Sequence, residues 1–394
     1  MLPATITKIQ QAFKEIKYMQ CDTWEGDYRP AARDALKDIL EHRMGNAVDA
    51  HLEQKRAGGL PDRRNGFYPR HLLTELGDLL LRIPRTRTFS ARILLQRFAR
   101  RSSSIERLIL LCFLFGHSTR KVGRALLPIL GECVSHASVS QIGKQLDQVV
   151  QAYHQRPLSD AYEVLLLDGI VMKRKTGIGV QKRSVLVALG IKADGKKEVI
   201  DFQQVYGESQ SAWEAFLNHL YRRGLQAQSL KLIIIDGGKG LKAALPLVYS
   251  DIPIQRCWAH KTRNVLNYVK RADQKKVKKY LHRVSHARNL REAHKAAQRF
   301  MARWQVAYPE AVRCLRLDLP ELLTFLQIKV PLSPSALRTT NAIERLFREV
   351  RRRTRPMGTF SNHTSMDRIM FSVFSYENLK EGTSTPFLLL TQNT

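Results

Sequence analysis

The spacing of apolar residues changes near residue 161 and divides the chain into a helical part and a mixed part. Between 103 and 156, apolar residues recur at helical spacing in three runs, with Ser118 and Ser138 as N-cap candidates. Three short helices with a glycine-containing turn resemble a helix-turn-helix unit, and an ordinary three-helix bundle is the alternative. As a helix-turn-helix unit, its third helix would present four polar side chains to a DNA groove: Ser140, Gln141, Lys144 and Gln145.

From 161 to 257, short apolar runs predict buried strands, and they alternate with amphipathic segments that predict helices. The predicted strands are 162–170, 183–191, 197–205, 231–238 and 252–257, and the predicted helices are 209–225 and 241–249, the second broken or kinked at Pro246. Three consecutive strands followed by alternating helices and strands match the ribonuclease H-like layout. The expected fold class is therefore α/β, with a mixed sheet of that kind.

The regions on either side are expected to be mainly helical. Residues 1–56 are polar, and 72–84 predict a small hairpin with its turn at Gly77-Asp78 and its end at Pro84. A capped helix is predicted from Thr340-Asn341 to Arg355. The pattern predicts four regions: a helical N-terminal region with a basic hairpin (1–100), a helix-turn-helix-like DNA-binding domain (101–157), a ribonuclease H-like catalytic domain (158–259 and 331–380), and a basic helical insertion (260–330).

The chain of 394 residues carries a formal net charge of +30, from 65 Lys and Arg against 35 Asp and Glu. Charge of this size repels itself unless a polyanion offsets it, so nucleic acid is the first partner to consider. Residues 82–107 hold eight Arg and one acid, 270–299 hold eleven Lys and Arg, and 345–355 hold six Arg. A solvated helix face explains one such cluster, but three together favour a phosphate-binding surface.

Composition excludes several other classes of protein. A hydrophobic content of 44% excludes a disordered basic tail. No apolar run approaches the ~20 residues of a membrane span, so no membrane partner is expected. The N-terminal segment lacks the basic-then-apolar order of a signal peptide. Five scattered cysteines predict a reducing compartment without disulfides, in agreement with a cytoplasmic location.

Two acids follow apolar runs that predict buried strands. Asp168 comes after Leu165-Leu166-Leu167 and Asp236 after Ile233-Ile234-Ile235, and glycine follows each. A carboxylate there is costly to bury unless it is paired or binds a cation. A lone strand-end Asp is usually a turn or helix cap, but two on neighbouring strands favour a site. Glu344, in the first turn of the last basic helix, is the third candidate, with a capping-box acid as its alternative.

Three such carboxylates suit magnesium, which prefers hard oxygen ligands. Two Mg²⁺ ions on Asp168, Asp236 and Glu344 would activate a water or 3′-hydroxyl and stabilise the leaving oxygen of a phosphodiester, and Mn²⁺ is expected to substitute. Arginines on the helix of Glu344 would grip the DNA backbone beside the ions: Arg345, Arg348, Arg351, Arg352 and Arg353.

Six segments follow one another in a recognisable order: RNGFYPR…LRIPRTR (64–87), STRKVGRAL (118–126), LLLDGI (165–170), IIIDGGKGL (233–241), QRCWAHKTRNVL (255–266) and TTNAIERLFREVRRRTRPMGTF (339–360). Together they resemble the Mutator-type transposases of bacterial insertion sequences, over about residues 60 to 380. The resemblance implies a DDE enzyme with a ribonuclease H-like core and a helical insertion between the second Asp and the Glu. Its metal triad falls on Asp168, Asp236 and Glu344, which are 68 and 108 residues apart.

The same resemblance implies cutting at element ends and joining to target DNA, in association with the bacterial nucleoid. A homo-oligomer is expected, because two element ends must be held together. The family also carries a C-x₂-H motif, here Cys257 and His260, which implies a structural or DNA-positioning role near the site. These two residues have half of a zinc-finger spacing, with His282 and His286 downstream, but no second cysteine pair follows. Asp201, inside a predicted strand, is expected to have a surface or hairpin role.

The expected function is a Mg²⁺-dependent DNA transposase. A metal-dependent, structure-specific nuclease that cuts without joining keeps the same chemistry and is the first alternative. A non-catalytic DNA-binding regulator built on the helix-turn-helix unit is the second. It needs no acid at Asp168 or Asp236 and leaves the basic core without a task.

Overall fold

A computed structural model describes residues 29–95, 102–114, 117–130, 134–144 and 146–383. The chain divides into two compact units, Met1–Lys144 and Gln145–Thr394. In the described ranges, no helix combines the length and the apolar character that crossing a bilayer requires. The first 28 residues of the region predicted to be helical, and Gln145, lie outside the described residues.

The first unit joins a long helix to a two-stranded hairpin and a group of shorter helices. Its elements are α1 (Arg29–Ala57), β1 (Arg64–Thr74), β2 (Gly77–Thr86), α2 (Ser103–Leu114), α3 (Thr119–Leu130) and α4 (His136–Gly143). The hairpin is confirmed, but its predicted turn is wrong. Thr74 pairs with Gly77, so the turn residues are Glu75 and Leu76, and the Thr74 hydroxyl donates a 2.9 Å hydrogen bond to the Gly77 carbonyl. Pro84 does not end β2, because a strand of a two-stranded sheet has an outer edge that needs no N–H donor.

The predicted third helix of the helix-turn-helix region is two helices. Helix α4 ends at Gly143, and α5 (Leu146–Gln155) follows in the second unit. Ser135 is the N-cap of α4, since its hydroxyl accepts a 3.1 Å hydrogen bond from the Ser138 N–H, so the cap predicted at Ser138 is wrong. The Ser118 cap is confirmed by a 3.3 Å bond from the Lys121 N–H. Both Gln141 and Lys144 are exposed at the C-terminal end of α4.

The second unit is built on a mixed five-stranded sheet with the order β5-β4-β3-β6-β7. Its strands are β3 (Tyr162–Thr176), β4 (Gly179–Lys192), β5 (Lys197–Val205), β6 (Leu232–Ile235) and β7 (Ile254–Arg256), with helices α6 (Gln210–Arg222) and α7 (Lys239–Val248) between them. The first three strands are antiparallel, and β6 and β7 run parallel to β3. All five predicted strands and both helices are confirmed in order. Pro246 lies inside the last turn of α7 without breaking it.

Helices cover both faces of this sheet. On one face, Leu165 and Leu167 of β3 pack with Trp213 and Phe216 of α6 in the main core. The helices that follow β7 are α8 (Trp258–Leu266), α9 (Gln274–Ser285), α10 (Leu290–Trp304), α11 (Pro309–Leu322), α12 (Pro334–Leu337), α13 (Asn341–Thr354) and α14 (His363–Lys380). Helix α14 packs on β5, and α13 contacts β3. Helices therefore fill the chain between β7 and Glu344, as the resemblance implied.

Candidate active site

Asp168 and Asp236 lie at the same level of two neighbouring parallel strands, β3 and β6. The pairing of β3 with β6 ends at Leu167 and Ile235, one residue before each aspartate. Leu167 and Ile235 face the main core, and side chains alternate along a strand, so both aspartates face the opposite side of the sheet. One detail of the prediction is wrong: Asp168 does not end its strand, because β3 continues to Thr176 in pairing with β4.

Burial and a like charge disfavour the ionised form of Asp168. They raise the pKa of this carboxyl to about 7, with burial as the larger cause and the charge of Asp236 next. Two groups act in the opposite direction: the Gly169 N–H donates a 2.8 Å hydrogen bond to Oδ1 of Asp168, and the His260 imidazole lies near enough to favour the ionised form. The site therefore holds a pair of carboxyl groups whose mutual repulsion the protein only partly offsets.

The turn that carries Asp236 is held in place by an arginine. The Gly238 N–H donates a 2.8 Å hydrogen bond to Oδ1 of Asp236, and Gly237 has φ of +96°, which favours glycine. A Cβ on Gly237 would collide with the guanidinium of Arg256, which donates a 3.3 Å bond to the Gly237 carbonyl. Asp318 of α11 forms an ion pair with Arg256. The helices that follow β7 thus brace the turn beside Asp236.

Glu344 reaches this region through a histidine. It lies in the first turn of α13, and its carboxylate is 3.4 Å from Nε2 of His260. Thr340 makes no side-chain cap bond at the start of this helix, so the capping-box alternative for Glu344 is wrong. The Thr340 hydroxyl instead donates a 3.2 Å hydrogen bond to Sγ of Cys257.

Cys257 and Thr340, which are buried, and His260, which is half-buried, form a polar group next to Glu344. The Thr340 N–H also donates to Cys257 Sγ, at 3.3 Å. Burial works to raise the pKa of the Cys257 thiol, but hydrogen bonds from His260 and Thr340 outweigh it and lower that pKa. The bond to Cys257 raises the pKa of His260, and the nearby carboxylates of Asp168 and Glu344 add to the effect. These contacts favour the protonated form of the His260 imidazole over the neutral form.

Glu208 is a further acid of the site whose role the sequence did not reveal. Burial raises its pKa, and the charge of Asp236 adds to this. A Cβ on Gly169 would meet the Glu208 carboxylate, so the glycine after Asp168 leaves room for a third acid. The signal in the sequence was weak: Glu208 lies in a loop just before α6, with no apolar run before it.

The other predicted residues divide into exposed and buried groups. Four arginines of α13 are exposed: Arg345, Arg348, Arg351 and Arg352. Arg353 is buried on the inner face of the helix, where burial lowers its pKa to about 10, so it does not belong to the exposed set. The surface role predicted for Asp201 is wrong, because this acid is buried against His154 and Arg223. Its position in β5 brings it between these two side chains.

The donors do not form a ready-made metal cage. Within the described ranges, no group of three His, Cys, Asp or Glu side chains is placed to hold one ion. His282 and His286 stack on each other with ring centroids 3.5 Å apart, and Cys257 is engaged by Thr340, which argues against the zinc-finger alternative. What the site offers a cation is the Asp168–Asp236 pair, whose carboxylate oxygens are of the kind that Mg²⁺ prefers and whose repulsion is only partly offset.

Comparison with known proteins places this arrangement in a family. The family model described as Transposase, Mutator family, matches residues 5–382. A transposase for insertion sequence element IS905 of Lactococcus lactis is 30% identical, over 90% of either chain. A transposase for ISRM5 of Rhizobium meliloti is 32% identical over 90% of this chain and 89% of its own. The transposase for IS256 of Staphylococcus aureus is 31% identical over 87% and 88%. A chain that matches a family model and these relatives over nearly all its length belongs to the Mutator family of transposases.

Proposed function

We propose that this protein is a DNA transposase that cuts the ends of an insertion sequence and joins them to target DNA by DDE chemistry, with Asp168, Asp236 and Glu344 as the acidic triad. The observation that carries the proposal is the pair of carboxyl groups at the ends of the β3–β6 pairing, in which the charge of Asp236 adds to the cost of ionising Asp168. Such a pair is destabilising for the fold, and acids in that position are typical of functional sites. Names of the relatives, all transposases, agree with it.

The proposed core is ribonuclease H-like. Support comes from the strand order, with three antiparallel strands followed by two parallel ones on the other side of β3. The helical stretch from Trp258 to Leu337 would be the insertion between the second Asp and the Glu. Helices α2 to α4 would form the DNA-binding part, with Gln141 and Lys144 on its exposed surface.

Mg²⁺ is the proposed cofactor, with Mn²⁺ as a substitute. Asp168 and Asp236 would hold it, and Glu344 would complete the ligand set. When bound, such ions supply charge stabilisation at the scissile phosphate and an activated oxygen nucleophile. The donors suit this ion because carboxylate oxygens are its preferred protein ligands.

The residues of the chain have separable tasks in this proposal. Asp168 loses its proton when the site is loaded, since only the ionised carboxylate binds a cation. His260 orients the Glu344 carboxylate, and Cys257 and Thr340 orient His260. Four exposed arginines of α13 bind the phosphates of the DNA backbone: Arg345, Arg348, Arg351 and Arg352. The protein would act as a homo-oligomer in the bacterial cytoplasm, at the nucleoid, because two element ends must be joined together.

The test uses the DNA that flanks the gene of this protein, as a duplex with a labelled 3′ end. We expect cleavage and strand transfer into a plasmid with Mg²⁺ or Mn²⁺. Asp236→Asn and Glu344→Gln should lose both activities and keep DNA binding. Cleavage without joining would favour the nuclease alternative, and binding without cleavage at any metal concentration would favour the regulator. Full activity of Glu344→Gln would show that the triad assignment is wrong.

A further inference from the structure

Strands β3 and β4 continue past the rest of the sheet as a two-stranded projection. The pairing of β3 with β6 ends at Leu167, and that of β4 with β5 begins at Ser184. Residues 172–183, which we name the projecting hairpin, therefore extend beyond both neighbouring strands, with Gly177 and Ile178 at the tip. The hairpin is the direct continuation of the strand that carries Asp168.

All charged residues of the projecting hairpin are basic. From Gly169 to Ala193 the chain has no acid, and within the hairpin it has three lysines and two arginines. The arginines are occupied: Arg174 donates to Gln204 at 3.3 Å, and Arg183 lies 4.1 Å from the ring centroid of Tyr206. The three lysines are exposed and form no ion pair with any described residue: Lys173, Lys175 and Lys182.

The lysines lie on one face of the projecting hairpin. Lys173 is directly opposite Lys182 in the register, and Lys175 is opposite Val180. Like charges that face each other across a strand pair are destabilising, so this face is held together against its own repulsion. A polyanion on the face removes that repulsion, and no acid of the hairpin does so.

Exposed apolar side chains accompany the lysines. Val171 and Val180 share their face and are each 55% exposed, and Ile178 at the tip is 88% exposed. Such side chains contact sugars and base edges in the grooves of DNA, where proteins also use apolar wedges. The combination suits nucleic acid better than a free anion, which would offer nothing to the apolar groups.

The projecting hairpin is tied to the arginine-bearing part of the unit. The Lys175 N–H donates to the Phe360 carbonyl at 2.8 Å, and the Phe360 N–H donates to the Lys173 carbonyl at 3.0 Å. Phe360 follows α13, the helix of Glu344 and of the exposed arginines. Lys173 is five residues beyond Asp168, which corresponds to about 17 Å along a strand, or roughly five base pairs of duplex. Because the spacing is odd and the register is unbroken, the lysines lie on the Leu167 face of β3, opposite to Asp168.

We propose that the projecting hairpin binds the DNA backbone about five base pairs away from the scissile phosphate, with Lys173, Lys175 and Lys182 on phosphates and Ile178 at the tip against the groove. This inference rests on the proposed function, which places the DNA at the acidic triad. It adds a DNA-binding surface that is separate from the triad and from the exposed arginines of α13.

DNA binding measured without metal tests the projecting hairpin separately from DNA cleavage and joining. Lys173→Gln/Lys182→Gln is compared with Lys196→Gln/Lys231→Gln, which removes two lysines at the opposite end of the strands. The probes are a 40-base-pair duplex of arbitrary sequence and its single strand, in EDTA, over a salt series. We expect the hairpin variant to lower the slope of log affinity against log salt by about 2 for the duplex, because each phosphate that a lysine neutralises adds about 0.9 to that slope. The control variant should leave the slope unchanged.

Several outcomes would overturn the proposal. One is an unchanged slope in the hairpin variant, and another is an equal drop in the control, which would mean that net charge alone matters. A drop confined to the single strand would exclude a duplex-binding role. As a second measurement, a benzophenone side chain at position 178 should crosslink to the duplex while one at 196 should not. Absence of strand transfer in the wild type would contradict the transposase proposal but leave these binding results standing.

Discussion

Asp168 and Asp201 lie on the two strands that flank β4, opposite the consecutive residues Val187 and Ala188. Asp201 is buried and Asp168 is half-buried, and their surroundings have opposite charge. Asp168 faces the acid Asp236, and its pKa rises to about 7 through burial and that like charge. Ionised Asp168 therefore lowers the stability of the fold, whereas Asp201 is paired with groups of opposite charge.

The surroundings of Asp201 are those of a structural ion pair. The carboxylate is 2.6 Å from Nδ1 of His154 and is paired with the Arg223 guanidinium, and the Phe202 N–H donates to it at 2.8 Å. Removing one partner of such a group leaves an uncompensated buried charge. Burial of an acid therefore does not by itself reveal its role; the sign of the nearest charges separates a candidate catalytic acid from a structural one.

The largest effect expected from this contrast is on catalysis. Asp168→Asn should lower cleavage of a labelled element end by roughly a thousandfold or more, the scale seen when a group that stabilises the reacting charge is removed. Asp201→Asn should leave the rate per folded molecule within a few-fold of the wild type. The measurement is the cleavage rate per active molecule, normalised by DNA binding. An equal loss in both variants would contradict the different roles assigned to Asp168 and Asp201.

Stability should respond in the opposite order. Asp201→Ala is expected to lower the free energy of unfolding by about 3–5 kcal/mol, the range for breaking one partner of a buried pair. Asp168→Asn should leave it unchanged or raise it, because the repulsion with Asp236 is removed. Urea titration of both variants at pH 8 in EDTA supplies the test. Destabilisation of Asp168→Asn by the same amount would mean that Asp168 is structural.

The sequence predicted much of this contrast, but not all of it. Apolar runs before Asp168 and Asp236 predicted both strands, because buried strands need unbroken apolar residues on both faces. The role of Asp201 was predicted wrongly, because its partners His154 and Arg223 lie 47 and 22 residues away and meet it only in the fold. Local spacing carries no information on such partners.

The partners of Cys257 near Glu344 also could not be predicted from local spacing. The Cys257–His260 spacing indicates a motif, but the hydrogen bond from Thr340 to Cys257 spans 83 residues. The two-residue error in the hairpin turn arose because Gly77-Asp78 is a strong turn signal, yet Gly77 pairs with Thr74 as the first residue of β2. Tertiary pairing decided the register there.

A histidine contacts an acid in each of the two regions: His260 lies next to Glu344, and His154 lies next to Asp201. His260→Gln should lower the rate of strand transfer about 10- to 100-fold, as expected for a residue that orients a metal ligand, and raise the Mg²⁺ concentration needed for half the maximal rate. His154→Gln should instead lower stability by about 1–3 kcal/mol through an unpaired partner on Asp201. A change in Mg²⁺ requirement with His154→Gln, or none with His260→Gln, would contradict the assignment.

The pH dependence of stability gives the smallest predicted effect. The pKa of Asp168 is raised from 3.8 to about 7 in the folded protein, so the folded state binds a proton that the unfolded state has lost. Stability from this group is therefore present below about pH 4, declines as the pH rises, and is lost above about pH 7. We expect the free energy of unfolding of the wild type, relative to Asp168→Asn, to fall by about 2 kcal/mol between pH 4 and pH 8 in EDTA. That is half of the ~4 kcal/mol that three pKa units carry, because water still reaches the carboxyl.

Mg²⁺ should reverse this fall in the wild type and have no such effect in Asp168→Asn, since the cation binds the ionised pair. Parallel stability curves for the two proteins would show that the like-charge pair is not formed.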